Sequence, residues 1–195
     1  MKKLLIATHN NHKVEEIKHL LSDLLFEVLS LSDIRNPPKT IEDRPTLEGN
    51  ALKKAREAFH TTGMLTLADD TGLECYYLEL QPGVFSARYA GENATYADNN
   101  KKLLSALKGV PARRRHARFR TVVAVAGPKI EKIFEGKVEG KILEYPQGTL
   151  GFGYDPLFVP AGHSRSFAEM ALVGKNQLSH RSEALKKTIT FLKTL

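Results

Sequence analysis

The chain predicts an α/β fold, a mixed β-sheet flanked by helices, and three observations point to it. The chain opens with an apolar run, a polar turn and a helical repeat. Helical and extended patterns then alternate through the first half. From residue 116 to residue 159 extended patterns follow one another with no helix between them. Parallel neighbours need long crossovers, so a purely parallel sheet does not fit that last stretch.

Residues 3–8 carry Leu4, Leu5, Ile6 and Ala7 and read as a short buried strand. Polar residues Thr8 to His12 follow. Val14, Ile17, Leu20, Leu21 and Leu24 then recur at helical spacing, which predicts a helix over 11–24. Residues 26–31 read as a second strand, and residues 32–45 as a polar loop holding Pro37-Pro38 and Glu42-Asp43. Thr46 is the expected N-cap of a helix to about 62 that buries Leu47, Ala51, Ala55 and Ala58 or Phe59, although Gly49 stands where a capping box would place Glu.

Residues 65–68 are the third strand, expected to end at Asp69-Asp70-Thr71-Gly72, with residues 73–78 able to pair beside it. Gln81-Pro82-Gly83 reads as a turn, and Thr95 as the cap of a helix through Leu107. Over 116–126, Ala117, Phe119, Thr121, Val123 and Val125 alternate onto one face, a strand signature. A second long strand is expected over 132–142, a short extended piece over 156–159, and a last helix over 179–192 with Ser179 as its cap. No Gly-, Ser- or Pro-rich linker divides the chain, so 1–195 reads as a single domain.

At 42% hydrophobic residues the chain can bury a substantial core, and its composition excludes disordered and collagen-like classes. The single cysteine, Cys75, allows no internal disulfide and fits a reducing compartment. Lys2-Lys3 and the following apolar run imitate a signal peptide, but the run is too short and ends in a polar segment. No apolar stretch approaches the roughly 20 residues needed to cross a bilayer. The expectation is a cytoplasmic protein. A net charge of +7 favours anionic partners without choosing among them.

Four segments carry chemistry. Thr8, Asn10 and Lys13 lie at a strand-to-helix turn, where helix N–H groups, two polar side chains and one ammonium outline a phosphate cradle. The same residues also fit an ordinary N-cap with a surface lysine. The adjacent carboxylates of Asp69-Asp70, followed by Thr71-Gly72, invite a divalent cation such as Mg²⁺, which takes one or two carboxylates plus substrate phosphates. A plain turn is the competing reading. The aspartic-protease triplet is disfavoured by the helical periodicity around it. Gly151-Phe152-Gly153-Tyr154-Asp155-Pro156 combines adaptable backbone with aromatics able to stack a base, or is a turn into the next strand. In Lys175-Asn176-Gln177-Leu178-Ser179-His180-Arg181, His180 and Arg181 oppose the dipole of the helix they open, a placement suggestive of a ligand.

Taken together and in order, Thr8-x-Asn10-x-x-Lys13, Ala68-Asp69-Asp70-Thr71-Gly72-Leu73 with Pro82-Gly83-Val84-Phe85-Ser86-Ala87-Arg88-Tyr89, Phe152-Gly153-Tyr154-Asp155-Pro156, and Lys175 with Ser179-His180-Arg181 resemble the inosine/xanthosine triphosphate pyrophosphatase family. The resemblance implies a long central mixed sheet with two lobes around a nucleotide-binding cleft, in a homodimer. It implies Mg²⁺-dependent hydrolysis of ITP, dITP or XTP to the monophosphate and pyrophosphate. Asp70 falls at the catalytic carboxylate, Glu42 with Asp70 at the metal, and Lys54 at a phosphate contact. Thr8, Asn10, Lys13, Thr71, Phe152, Gly153, Tyr154, Asp155, Lys175, His180 and Arg181 fall at substrate contacts.

The chain departs from the family pattern where Glu-Thr-Gly becomes Glu42-Asp43-Arg44 and Glu-Asn-Ala becomes Gly49-Asn50-Ala51. It departs again at Leu150, which replaces a glycine, and at Leu172-Val173-Gly174, which replaces an acidic stretch. The basic run Arg113-Arg114-Arg115-His116 with Arg118 and Arg120 reads as a solvated face more than a nucleic-acid surface, and a membrane partner is not expected.

Overall fold

A computed structural model describes residues 2–195. Strand β1, Lys2–Ile6, buries Leu4, Leu5 and Ile6. Helix α1, Asn11–Leu20, starts at Asn10, whose side chain accepts from the His12 and Lys13 amides. The helix stops short of the expected Leu24, at the turn-forming Ser22-Asp23, although Leu21 and Leu24 stay buried. Strand β2 is Phe26–Ser30. Helix α2, Leu47–Thr62, is capped by Thr46 and closed by Gly63 in the left-handed conformation at φ 69°.

The expected strand end at Asp69–Gly72 is not there. Strand β3 runs unbroken over Leu65–Cys75, through both aspartates. Buried carboxylates would break a strand only if water were their sole partner, and cations from elsewhere in the chain reach them instead. Residues 73–75 therefore continue β3 and do not pair beside it, and residues 76–78 form a 3₁₀ turn. Helix α3, Tyr96–Ala106, has a capping box of Thr95 and Asp98. Strands β4, His116–Gly127, and β5, Ile130–Ile142, follow.

The extended piece expected over 156–159 is partly a 3₁₀ turn, Asp155–Leu157, favoured by Pro156. Strand β6 is Phe158–Pro160. Helix α4, Leu172–Leu178, was not expected, since seven residues with a central glycine and no side-chain cap carry little helical signal. Helix α5 is His180–Leu192, so Ser179 lies between the last two helices.

The strands pair in the order β2-β1-β3-β4-β5-β6. β1 is parallel to β2 and β3, and β5 is antiparallel to β6, so the sheet is mixed as the strand clustering predicts. The chain divides into two compact units, and β3, β4 and β5 supply residues to both. The first unit comprises residues 1–70, 121–136 and 181–195, with a core around Leu4, Ile6, Ile17, Leu67, Val123 and Leu185. The second comprises residues 71–120 and 137–180, with a core around Leu73, Leu103, Phe119, Phe158 and Phe167. No helix among the described residues is long and apolar enough to cross a membrane.

Arg113, Arg114 and His116 are exposed, as a solvated face requires, and the rest of the basic run is spent on structure. Arg115 is buried and donates to the carbonyls of Leu107, Ile142 and Leu143 at 2.7–2.9 Å. Arg118 pairs with Glu74 at 2.6 Å. Cys75 lies in the second core, where burial pushes its thiol up to about 12, so it is no nucleophile.

Candidate active site

Successive side chains of a strand point to opposite faces, so Asp69 and Asp70 take different direct partners, although Lys13 and Lys54 lie close enough to act on both charges. Asp69 Oδ2 lies 3.0 Å from Lys13 Nζ of α1 and 3.2 Å from Arg181 Nε of α5. Arg181 also pairs through Nη1 with Glu16, and its side chain is only 2% exposed. Burial alone would raise the Asp69 carboxyl, but Lys13, Arg181 and Lys54 outweigh it and hold the group well below the usual carboxylate range. Burial conversely lowers the Lys13 ammonium, against the pull of Asp69.

Asp70 turns to α2 and to the loop before it. Lys54 Nζ lies 2.9 Å from Asp70 Oδ1 and 2.6 Å from Glu42 Oε1, so two carboxylates far apart in sequence meet on one ammonium. Burial lowers the Lys54 ammonium, yet Asp70, Glu42 and Asp69 together raise it, and it stays charged. Burial raises the Asp70 carboxyl above its ordinary value, with Lys54 and Lys13 opposing.

Asn50, fully buried on α2, belongs to this cluster and was not among the expected site residues. Its side chain accepts from the Arg44 amide at 2.9 Å, donates to the Arg44 carbonyl at 3.3 Å, and donates to Asp70 Oδ2 at 3.4 Å. One amide thus ties the Glu42 loop to the aspartate. The available signal was an asparagine inside a helix, where it is a poor helix former.

Two of the chain's departures from the family pattern meet here. A Cβ at Gly49 would lie 2.8 Å from Arg44 Cβ and 3.2 Å from Arg44 Cγ, so the glycine makes room for the arginine. Gly49→Ala is expected to lose about 1–3 kcal/mol by overpacking, despite alanine's better helix propensity. Adding Arg44→Gly should recover most of that loss, and thermal unfolding of the single and double variants checks both.

Asn10 works as an N-cap. Its Oδ1 accepts from the His12 and Lys13 amides at 3.1 and 3.3 Å, so those two N–H groups are not left for an anion. Thr8 Oγ1 accepts the Asn10 amide at 3.2 Å. Lys13 is no freely solvated lysine: it is half-buried and pairs with the buried Asp69.

The second unit brings together a different set. Asp155 and Lys175 are both buried and pair at 2.6 Å. Asp155 Oδ2 also accepts the Phe152 amide at 2.9 Å, and a Cβ on Gly151 would lie 2.1 Å from it, so glycine is required there. Lys175 Nζ stands 4.9 Å from the Phe152 ring centre, and the Tyr96 ring lies 6.0 Å from it. Asn100 Nδ2 donates to the Gly153 carbonyl at 3.0 Å. Thr71 is half-buried beside Asp70 in β3. His180 is buried, its ring stacked on Phe119 at 4.6 Å and 16°. Tyr154 is buried in the core and burial pushes its hydroxyl's pKa up, so it offers no stacking face. Arg181 was expected with His180 and Lys175 at a base; the structure spends it on Glu16 and Asp69 in the first unit.

The donors around Asp70 and Glu42 are hard carboxylate oxygens, which suits Mg²⁺. Among the described residues no group of three His, Cys, Asp or Glu could hold a metal unaided.

Residues 4–191 match the model of the Ham1 family. A dITP/XTP pyrophosphatase from a Thermoanaerobacter species is 48% identical over 97% of this chain and 96% of its own length. The solved structure of a HAM1 protein from Coxiella burnetii superposes with a TM-score of 0.90 at 38% identity, covering 100% of both chains. That of the Staphylococcus aureus Ham1 protein gives a TM-score of 0.88 at 34% identity, covering 99% of both. With the resemblance read from the four motifs borne out over nearly its whole length, the chain belongs to the Ham1 family.

Proposed function

We propose that this chain is a nucleoside triphosphate pyrophosphatase that hydrolyses dITP, ITP and XTP to the monophosphate and pyrophosphate. The observation that carries the reading is the convergence of Glu42 and Asp70 on the Lys54 ammonium. A carboxylate pair of this kind can trade a held ammonium for a divalent cation when a triphosphate arrives. The names of the similar pyrophosphatases support the substrate class.

Glu42 and Asp70 are the residues that would hold Mg²⁺. The ion, when bound, supplies charge neutralisation of the triphosphate and eases ionisation of the attacking water. Asp70 orients that water toward the α-phosphorus and accepts its proton, and pyrophosphate leaves in line. Lys13, Lys54 and Thr8 counter the charge on the phosphates, and each such contact is worth about 3 kcal/mol in the barrier. Asn50 holds the Asp70 side chain against rotation.

Phe152, Asp155 and Lys175 read the base. The Phe152 ring supplies a stacking face. The Lys175 ammonium, aimed by Asp155, donates to a 6-keto oxygen and finds no acceptor on a 6-amino group. We read residues 1–195 as one catalytic domain, acting as a cytoplasmic homodimer.

With Mg²⁺ present, dITP, ITP and XTP should release pyrophosphate, and ATP, which lacks the 6-keto oxygen, should be turned over at least about 10⁴-fold more slowly, the scale on which a hydrogen-bonding site rejects an analogue without the bonded group. Chelation of the metal should stop the reaction. Comparable turnover of all four nucleotides would overturn the specificity, and full activity in excess chelator would overturn the metal's part.

A further inference from the structure

Tyr154 sits in the turn that presents Phe152 and Asp155, but its side chain leads inward. The residue is 5% exposed, and its hydroxyl donates to the Ser86 carbonyl at 2.9 Å. Ser86 is also buried. Its hydroxyl accepts the Leu73 amide at 2.8 Å and donates to the Gly83 carbonyl at 2.6 Å. A strand amide ordinarily bonds a neighbouring strand's carbonyl; at Leu73 a serine hydroxyl takes that place. The Gly83 carbonyl lies 2.6 Å from where a Cβ on Gly72 would be, so this loop rests directly on the backbone of β3. Gly72 and Leu73 follow Asp70 and Thr71 in the same strand. At the other end, the Leu157 amide donates to the Tyr154 carbonyl at 2.9 Å, and Asp155 closes on Phe152 and Lys175. These bonds tie Phe152, Tyr154, Asp155 and Lys175 to one another, so what seats against Phe152 and Lys175 bears on Tyr154.

We propose that Tyr154 and Ser86 are positioning residues that couple reading of the base to the alignment of Asp70. This rests on the function proposed above, in which Phe152, Asp155 and Lys175 meet the base and Asp70 meets the phosphate. A base seated against Phe152 and Lys175 holds the turn in one arrangement. The Tyr154 hydroxyl then holds Ser86, and Ser86 holds the amide three residues along β3 from Asp70. A base that seats poorly leaves that segment less constrained, and a small misplacement of a reacting group is costly in rate. Discrimination then shows in kcat as well as in binding.

Tyr154→Phe keeps the ring in the core and removes only the hydroxyl. Ser86→Ala removes the acceptor of the Leu73 amide. In Tyr154→Phe, kcat for ITP should fall about tenfold with KM within about twofold, and the ITP-to-ATP ratio of kcat/KM should fall about tenfold. Amide exchange at Leu73 should quicken at least about tenfold in both variants, because its protection depends on the serine being held. A raised KM with intact kcat would mean that Tyr154 touches the base directly and would overturn the proposal. Equal losses on ITP and ATP would reduce the link to strand stability alone and also overturn it, as would unchanged exchange at Leu73. Absence of ITP turnover by the wild type would instead sink the proposed function, a result none of these other outcomes can imitate.

Discussion

Asp70→Asn should lower kcat for ITP on the order of 10³-fold, the scale of a lost general base, while the chain remains folded. Burial raises the Asp70 carboxyl above its ordinary value, and the attraction of Lys54 and Lys13 does not fully offset it. A carboxyl whose folded pKa lies above its unfolded one favours the fold when protonated. That contribution fades as pH rises through the folded value, so at neutral pH the ionised Asp70 is held at a cost. A neutral isostere removes that cost but takes from Lys54 one of its two carboxylates, Glu42 remaining, and the Asn50 contact can persist. Urea unfolding of Asp70→Asn should therefore still show a cooperative transition of a folded chain, alongside the loss of pyrophosphate release. Wild-type rates from the folded variant would refute the catalytic part assigned to this carboxylate.

Arg181→Met should instead cost stability. The guanidinium lies between Glu16 and Asp69, all three buried, and removing it strands two carboxylates without their main shared partner. Breaking a buried pair in this way typically costs about 3–5 kcal/mol, which urea unfolding at pH 7 would measure. Its pH dependence has a definite sign. Asp69 has a folded pKa depressed below the ordinary 3.8, against the opposing effect of burial. Its contribution is fully present above pH 3.8 and is lost as pH falls through that value toward the depressed folded one. Without Arg181 the depression shrinks, so the variant should lose less additional stability on acidification than the wild type does. A variant as stable as the wild type would show that Lys13 alone neutralises Asp69.

Glu42 illustrates what could and could not be read in advance. It was placed at the metal by resemblance, and the structure brings it to Asp70. Nothing in its own loop, where Asp43 is equally acidic, distinguished the two. The difference is geometric: Asp43 turns outward to Lys53 at 2.9 Å, and Glu42 turns inward to Lys54. Asn50 went unassigned because its amide joins a backbone segment six residues upstream to a side chain twenty residues downstream, and no local pattern records that. The continuous β3 was misread for a similar reason. A run of Asp-Asp-Thr-Gly has turn composition, and only cations supplied from α1, α2 and α5 make it tolerable inside a strand.

Periodicity alone settled the mixed α/β architecture, the position of most helices and long strands, and their caps at Thr46 and Thr95, because these depend on residues within a few positions of one another. The ordered motifs settled the family. Tertiary structure decided how the charges are shared: Asp69 with Arg181 and Lys13, Asp70 with Lys54 and Glu42, Tyr154 inward to Ser86. The strength of a charge or a hydroxyl depends on its burial and on its partners' distances. Those follow from which distant segments pack together, and a one-dimensional pattern contains neither.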